Sequence, residues 1–152
     1  MHTFFTLHPI FSAAYHNVKP KGGILLPDKG YIQVRAFTSD AQIPLSGVAV
    51  TITDASGAAI AMRLTNRSGL LDAPIEIDVP DRSASLTPNS GMIPFTSVNL
   101  YARLENYEEI DVENLQVFAD TVTAQNLKLI PLSELPDSWN KAEIFNTTPQ
   151  NL

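Results

Sequence analysis

The stretch Pro44-Leu45-Ser46-Gly47-Val48-Ala49-Val50-Thr51-Ile52, with the later Thr65-Asn66-Arg67-Ser68-Gly69, decides the fold. Pro44 and Gly47 frame a turn, since proline presets a turn φ and glycine accepts positive φ without steric cost. Beyond it, Val48, Val50 and Ile52 alternate with Ala49, Thr51 and Thr53, the period-two signature of a half-buried strand. Asp54-Ala55-Ser56-Gly57 reads as a tight hairpin turn, and Ala58 to Leu64 returns with Ile60, Met62 and Leu64 in phase. Asn66-Arg67-Ser68-Gly69 then turns the chain again on a glycine. Two turns around two alternating strands predict a small antiparallel β-sandwich.

Working outward, the same grammar repeats. Tyr31 to Phe37 alternates, with Ile32, Val34 and Ala36 on one face and Gln33 and Arg35 on the other. Ile75, Ile77 and Val79 form a short strand between Pro74 and Pro80. Asp81 to Pro94, rich in Ser, Thr, Pro, Asn and Gly, reads as a long exposed loop. Val98, Leu100, Ala102 and Leu104 alternate, and a turn follows at Glu105-Asn106-Tyr107. The last strands are Ile110 to Phe118 and Thr121 to Leu132, joined by Ala119-Asp120, a connection short enough for a hairpin. Seven strands at these spacings fit a sandwich, and no segment keeps a 3.6-residue apolar period. Residues 1–29 read as an arm and linker ending in the turn-like Pro27-Asp28-Lys29-Gly30. Residues 30–132 form the sandwich, and 133–152 a tail containing Pro136, Trp139 and Pro149.

Composition narrows the function classes. The formal net charge is -6 over 152 residues, and the lysines and arginines are scattered singly. Nucleic acid and anionic membrane surfaces are disfavoured partners, because both reward a basic stripe. The chain contains no cysteine, which rules out disulfides, a thiol nucleophile and a cysteine zinc site. No apolar run approaches the ~20 residues of a membrane span. Phe4 to Ala14 is apolar but lacks a basic flank and is broken by His8 and Pro9, so it reads as an arm rather than a signal peptide.

The run from Tyr31 to Leu132 resembles the carboxypeptidase regulatory-like domain, a transthyretin-like seven-stranded sandwich. The family's opening pattern of Pro, aliphatic, any residue, Gly, Ala, any residue, Val is matched by Pro44-Leu45-Ser46-Gly47-Val48-Ala49-Val50, with Val48 in place of alanine. Its Thr-Asp-x-x-Gly turn is similar to Thr65-Asn66-Arg67-Ser68-Gly69. Its Gly-Tyr pair is similar to Asn106-Tyr107, asparagine being the next best residue for a left-handed conformation. The Pro80 to Pro94 loop, Leu115 to Asp120 and Ile130-Pro131-Leu132 are similar to a clostridial variety linked to spore cortex lysis and peptidoglycan. There the module precedes a cortex-lytic or peptidoglycan-binding part. The likeness implies a spore or cell-envelope context, not an activity.

Catalytic and metal readings are weaker than structural ones. His2, His8 and His16 lie in the arm, where nothing periodic holds them in one geometry. The sandwich carries no histidine, so a Ser-His-Asp arrangement has no base there. The same absence excludes the hydroxyisourate-hydrolysing branch of the transthyretin-like fold. Glu76 and Asp78 share a strand face and offer a weak cation site, but the plainer reading is a solvated sheet face. A Lys-Asn isopeptide cross-link of the kind seen in pilin-like sandwiches would use Asn126, yet the first strand offers Arg35 rather than lysine. No cofactor is expected. Tyr31, Phe95, Tyr101, Tyr107 and Phe118 read mainly as core, with Tyr107 a plug beside its turn.

The sequence therefore predicts a non-catalytic β-sandwich that binds or assembles, through a protein partner or self-association. Phe4, Phe5, Ile10 and Phe11 in the arm, with Trp139, Ile144 and Phe145 in the tail, are the candidate partner-binding residues. A strand-addition mode, in which an arm pairs with a neighbour's sheet edge, fits them. The alternative is a peptidoglycan- or other carbohydrate-binding module acting through residues 81–94, with Asn89, Met92 and Phe95 as its candidate ligand residues.

Overall fold

The computed structural model describes residues 26–83, 91–135 and 142–148. Among them, nine strands form two facing sheets. The first sheet is built on β1 (Asp28–Thr38), which pairs antiparallel with β2 (Ile43–Pro44) and β5 (Ile75–Val79) along one side. Along its other side β1 pairs in parallel with β8 (Val122–Lys128). The second sheet runs β4 (Ala59–Leu64), β3 (Ala49–Thr53), β6 (Phe95–Arg103), β7 (Glu109–Phe118), β9 (Ala142–Asn146). The β-sandwich predicted from the turn grammar is the fold observed.

Alternation decides what faces the core. Ile32, Val34 and Ala36 of β1 are completely buried, as are Val50 and Ile52 of β3 and Leu100 and Ala102 of β6. Ile75, Ile77 and Val79 close the layer from β5, while Glu76 and Asp78 between them point to solvent. Burying an aliphatic side chain of this size is worth about 1.5–3 kcal/mol over leaving it exposed, so this single interdigitated layer is the main source of stability.

The turns behave as their residues require. Asp54 Oδ1 accepts from Ser56 N, Ser56 Oγ and Ala58 N, which locks the β3–β4 hairpin. Asn66 Oδ1 accepts from Ser68 N and Leu70 N, and Gly69 takes φ 73°. Asn106 adopts φ 68°, the left-handed conformation expected of it, and Tyr107 packs partly on the core.

Three sequence expectations are corrected. Pro27 to Gly30 is not a turn: Asp28, Lys29 and Gly30 already pair with Val79, Asp78 and Ile77 in β1. Ala119-Asp120 does not make a hairpin, because β8 crosses to the other sheet and pairs with β1 instead. Gly30 permits that crossing: a Cβ there would lie 2.5 Å from the Phe118 carbonyl oxygen. Within the tail, residues 142–146 form β9 at the edge of the second sheet. With β8 interposed in the opposite sheet, the chain returns to β7 in the same direction, so β7 and β9 are parallel. The described residues form nine strands rather than seven, and two ladders are parallel where an antiparallel sandwich was expected.

β7 also carries a bulge that its sequence pattern conceals. Ile110 and Val112 face inward, and then Leu115 and Val117 do, a change of parity between them. Asn114, at φ 57°, absorbs the extra residue and its N–H donates to Asn99 Oδ1 at 3.1 Å. Its side chain donates to Asn146 Oδ1 at 3.0 Å, and Thr147 N donates to the Glu113 carbonyl, so the bulge anchors the end of β9.

Candidate interaction surface

Of the residues named from the sequence, those described do not converge on one site. Phe4, Phe5, Ile10, Phe11, Asn89 and Trp139 lie outside the described residues. Ile144 and Phe145 are neighbours on β9, and alternation sends them to opposite faces. Ile144 stands opposite Asp111 on the outer face of the second sheet. Phe145 faces a cleft of about 290 Å³ between β8 and β9, lined also by Ile110, Asn126, Lys128 and Glu143. Met92 is exposed, whereas Phe95 is half-buried with its ring 5.5 Å from that of Phe118. Phe95 therefore serves packing first.

The acidic pair on β5 already has its cation. Lys29 Nζ lies 3.2 Å from Glu76 Oε1 and bonds Asp78 more closely still. Hydrogen bonds first to Asp78 and then to Glu76 hold the Lys29 ammonium above its usual range. Asn126 stands opposite Arg35 in the β1–β8 ladder, so no lysine faces it there. No group of three or more His, Asp or Glu side chains suited to a metal occurs among the described residues.

One buried acid is more unusual. Glu108 is 4% exposed, and its Oε1 accepts from Ile130 N at 3.1 Å. Loss of hydration, reinforced by the neighbouring Glu143, raises its carboxyl above the ordinary range. Glu143 belongs to β9, so this pair lies where β9 joins the sandwich.

The feature that sequence reasoning missed is the far edge of the same sheet. Ile60, Met62 and Leu64 of β4 are exposed by 44%, 62% and 59%. Their alternation marks a strand, but period two does not say which face is buried. The register decides it: Ala61 and Arg63 stand opposite Ile52 and Val50 of the core, while Met62 and Leu64 stand opposite Thr51 and Ala49 on the outer face. The small Ala61, opposite Ile52, was the available signal.

From this margin the outer face continues across the sheet. Met62, Thr51, Tyr101, Asp111 and Ile144 form one cross-strand row, and Leu64, Ala49 and Arg103 the next. Thr51, Tyr101 and Arg103 line a shallow depression of about 220 Å³. Arg103 Nε pairs with Glu109 Oε1 at 3.5 Å. Asp111 Oδ1 has no hydrogen-bond partner, and burial raises its carboxyl. The larger open depression, about 540 Å³ over the Leu104 to Tyr107 turn, contains the same Arg103 and Glu109. This is an apolar rim beside a polar sheet face, an arrangement that suits contact with another polypeptide.

No family model matches the chain. No curated protein matches it either. Among solved structures it is similar to a catechol 1,2-dioxygenase of Acinetobacter radioresistens, at TM-score 0.47 and 12% identity over 80% of this chain and 58% of that one. It is similar to a minor pilin of Streptococcus agalactiae, at TM-score 0.43 and 12% identity over 74% of this chain and 50% of that one. A cohesin–X-dockerin complex of Acetivibrio cellulolyticus gives TM-score 0.36 and 17% identity over 68% of this chain and 56% of that one. This chain thus spans between 50% and 58% of those three. At such identities and scores, what those proteins catalyse or assemble stays theirs. No helix among the described residues is long and apolar enough to cross a membrane.

Proposed function

We propose that this domain is a non-catalytic binding and assembly module that joins polypeptides through a sheet edge, in a spore or cell-envelope setting. The observation that carries the assembly reading is β4, an edge strand among the described residues, where Met62 and Leu64 stand exposed on the outer face and Ile60 is exposed beside them at the register shift of the β3–β4 ladder. A free edge with apolar side chains is a template for a further strand, and proteins that must avoid such pairing place charge there. The setting rests on the resemblance of Pro44 to Val50, Thr65 to Gly69 and Asn106-Tyr107 to the carboxypeptidase regulatory-like pattern.

Sedimentation velocity of the full chain over a range of concentrations tests this, run beside co-sedimentation with spore cortex peptidoglycan. A defined, concentration-dependent oligomer that stays in the supernatant supports the module as an assembler. A monomer that pellets with the glycan overturns it in favour of a carbohydrate-binding role for residues 81–94.

A further inference from the structure

We propose that the outer face of the second sheet is the seat of the chain's own N-terminal arm, with Lys21 against Glu113 and Lys19 against Asp111. This contact is independent of the assembly reading, since it uses a sheet face and not the β4 edge.

Charge is segregated along the chain. Residues 1–25 contain Lys19 and Lys21 and no carboxylate, so all 16 Asp and Glu lie beyond them. Three of these, Glu109, Asp111 and Glu113, follow one another on the outward side of β7. Arg103 pairs with Glu109, but neither Asp111 nor Glu113 has an ion-pair partner among the described residues. Asp111 Oδ1 is buried without a hydrogen-bond partner. The face is thus short of two positive charges, and the arm carries two. Exposed Met62, Leu64 and Ile144 share that face, and Phe4, Phe5, Ile10 and Phe11 of the arm supply apolar cover for them.

Spacing matches as well. Asp111 and Glu113 are two residues apart on a strand, so their side chains leave the same face about 6.8 Å apart. Lys19 and Lys21 have the same separation in an extended chain, and Pro20 between them disfavours helix at Lys19.

The tether reaches, and it sets the order. A Cβ on Gly30 would lie 2.5 Å from the Phe118 carbonyl oxygen, so β1 begins beside the end of β7. Going back along β7 from Phe118 to Glu113 covers about 17 Å, and packed sheets stand about 10 Å apart, so the path is about 20 Å. The seven residues from Asp28 back to Lys21 span about 25 Å when extended. Lys21 therefore meets Glu113 first, and Lys19, farther from the tether, meets Asp111. A segment held by so short a tether has an effective concentration in the millimolar range, above that of a second copy at ordinary dilution.

The absence of cysteine makes a single-cysteine variant of the full chain a clean probe. A nitroxide on Asn17→Cys in isotope-labelled protein should broaden the amide signals of Tyr101, Asp111 and Glu113. Those of Arg35 and Asn126, paired in the first sheet, should stay sharp. Lys19→Glu with Lys21→Glu should lower the docked-to-free ratio about tenfold, because two ion pairs become two repulsions. Lys19→Arg with Lys21→Arg should keep the broadening, and about 1 M salt should weaken it. A mixture of nitroxide-bearing chain with isotope-labelled, cysteine-free chain should stay sharp.

Broadening of Asp111 and Glu113 in that mixture overturns the contact in favour of the arm of a second copy, and leaves the assembly reading standing. Broadening that survives the double charge reversal, or that falls equally on Arg35 and Asn126, overturns the seat on β7. Broadening confined to the single chain, in a protein that sediments as a monomer, upholds the contact while removing the assembly reading.

Discussion

Thr65 accepts the Val48 N–H on its hydroxyl at 3.0 Å, and the same hydroxyl donates to the Leu45 carbonyl at 2.6 Å. Thr65 is 4% exposed and Val48 fully buried, so neither backbone group has water as an alternative partner. One side chain thus ties the end of β4 to the loop that opens β3.

Replacing that hydroxyl with a methyl keeps the shape and removes both bonds. Thr65→Val should cost about 2 kcal/mol, within the range for buried polar groups left unpaired. Chemical denaturation should show a lower midpoint at an unchanged m-value. Loss below about 0.5 kcal/mol would mean that the loop rearranges to pair those groups itself.

Gly69 faces a harder constraint. Its φ is 73°, and a Cβ would meet the Ala36 carbonyl oxygen at 2.2 Å, an atom that accepts from Leu45 N. Gly69→Ala combines left-handed strain with a backbone collision, and should destabilise by at least about 2 kcal/mol. Gly57→Ala is the control: its φ is 89° with nothing near the added Cβ, so it bears the strain alone and costs less. Thermal melts of the two should differ in that order.

Asn114→Ala should loosen β9 selectively. The substitution keeps a left-handed residue without asparagine's tolerance for it, and removes the bond to Asn146 Oδ1. A cost of about 1–2 kcal/mol is expected from the strain. Hydrogen exchange should quicken in residues 142–146 before the β1 core responds.

Glu108 predicts the sign of a pH effect. Its carboxyl is raised in the folded protein, so the native state holds a proton that the unfolded chain releases more readily. Stability from this group is full below the ordinary glutamate pKa, and falls as pH rises through that value toward the folded one. Glu108→Gln keeps an acceptor for Ile130 N and cannot ionise. Near pH 4 the two proteins should be close in stability; at neutral pH the variant should be the more stable. Asp54 acts in the opposite sense: hydrogen bonds, chiefly from the Ser56 hydroxyl, lower its carboxyl, so its contribution fades on acidification. Equal pH profiles for the parent and Glu108→Gln would place a hydrated carboxylate at 108.

Local grammar carried a large part of the fold. Asp54 to Gly57 reads as a hairpin turn because an Asx side chain can bond its own backbone, and that is what Asp54 does. Asn66 to Gly69 and Asn106 read as turns because few residues accept positive φ, and both Gly69 and Asn106 take it. Ala119-Asp120 was misread because a short connection between two strands serves a hairpin and a sheet-to-sheet crossing equally well. Asn114 escaped notice because a bulge shifts parity by one residue, and an apolar pattern tolerates that shift.

The sequence by itself determined an all-β chain, most of its strands and turns, and the inward residues of β1, β3, β5 and β6, because alternation and left-handed φ are properties of neighbouring residues. Only the tertiary structure decided which strands became edges and which way each edge faced. Ile60, Met62 and Leu64 have the same alternation as a buried strand, yet they are exposed, and β4 is an edge among the described strands. Pairing Lys29 with Glu76 and Asp78, or Glu108 with Glu143, joins residues far apart in the chain or on a returning strand. Such pairings follow from sheet order, which depends on how the whole chain buries its apolar surface rather than on any local stretch.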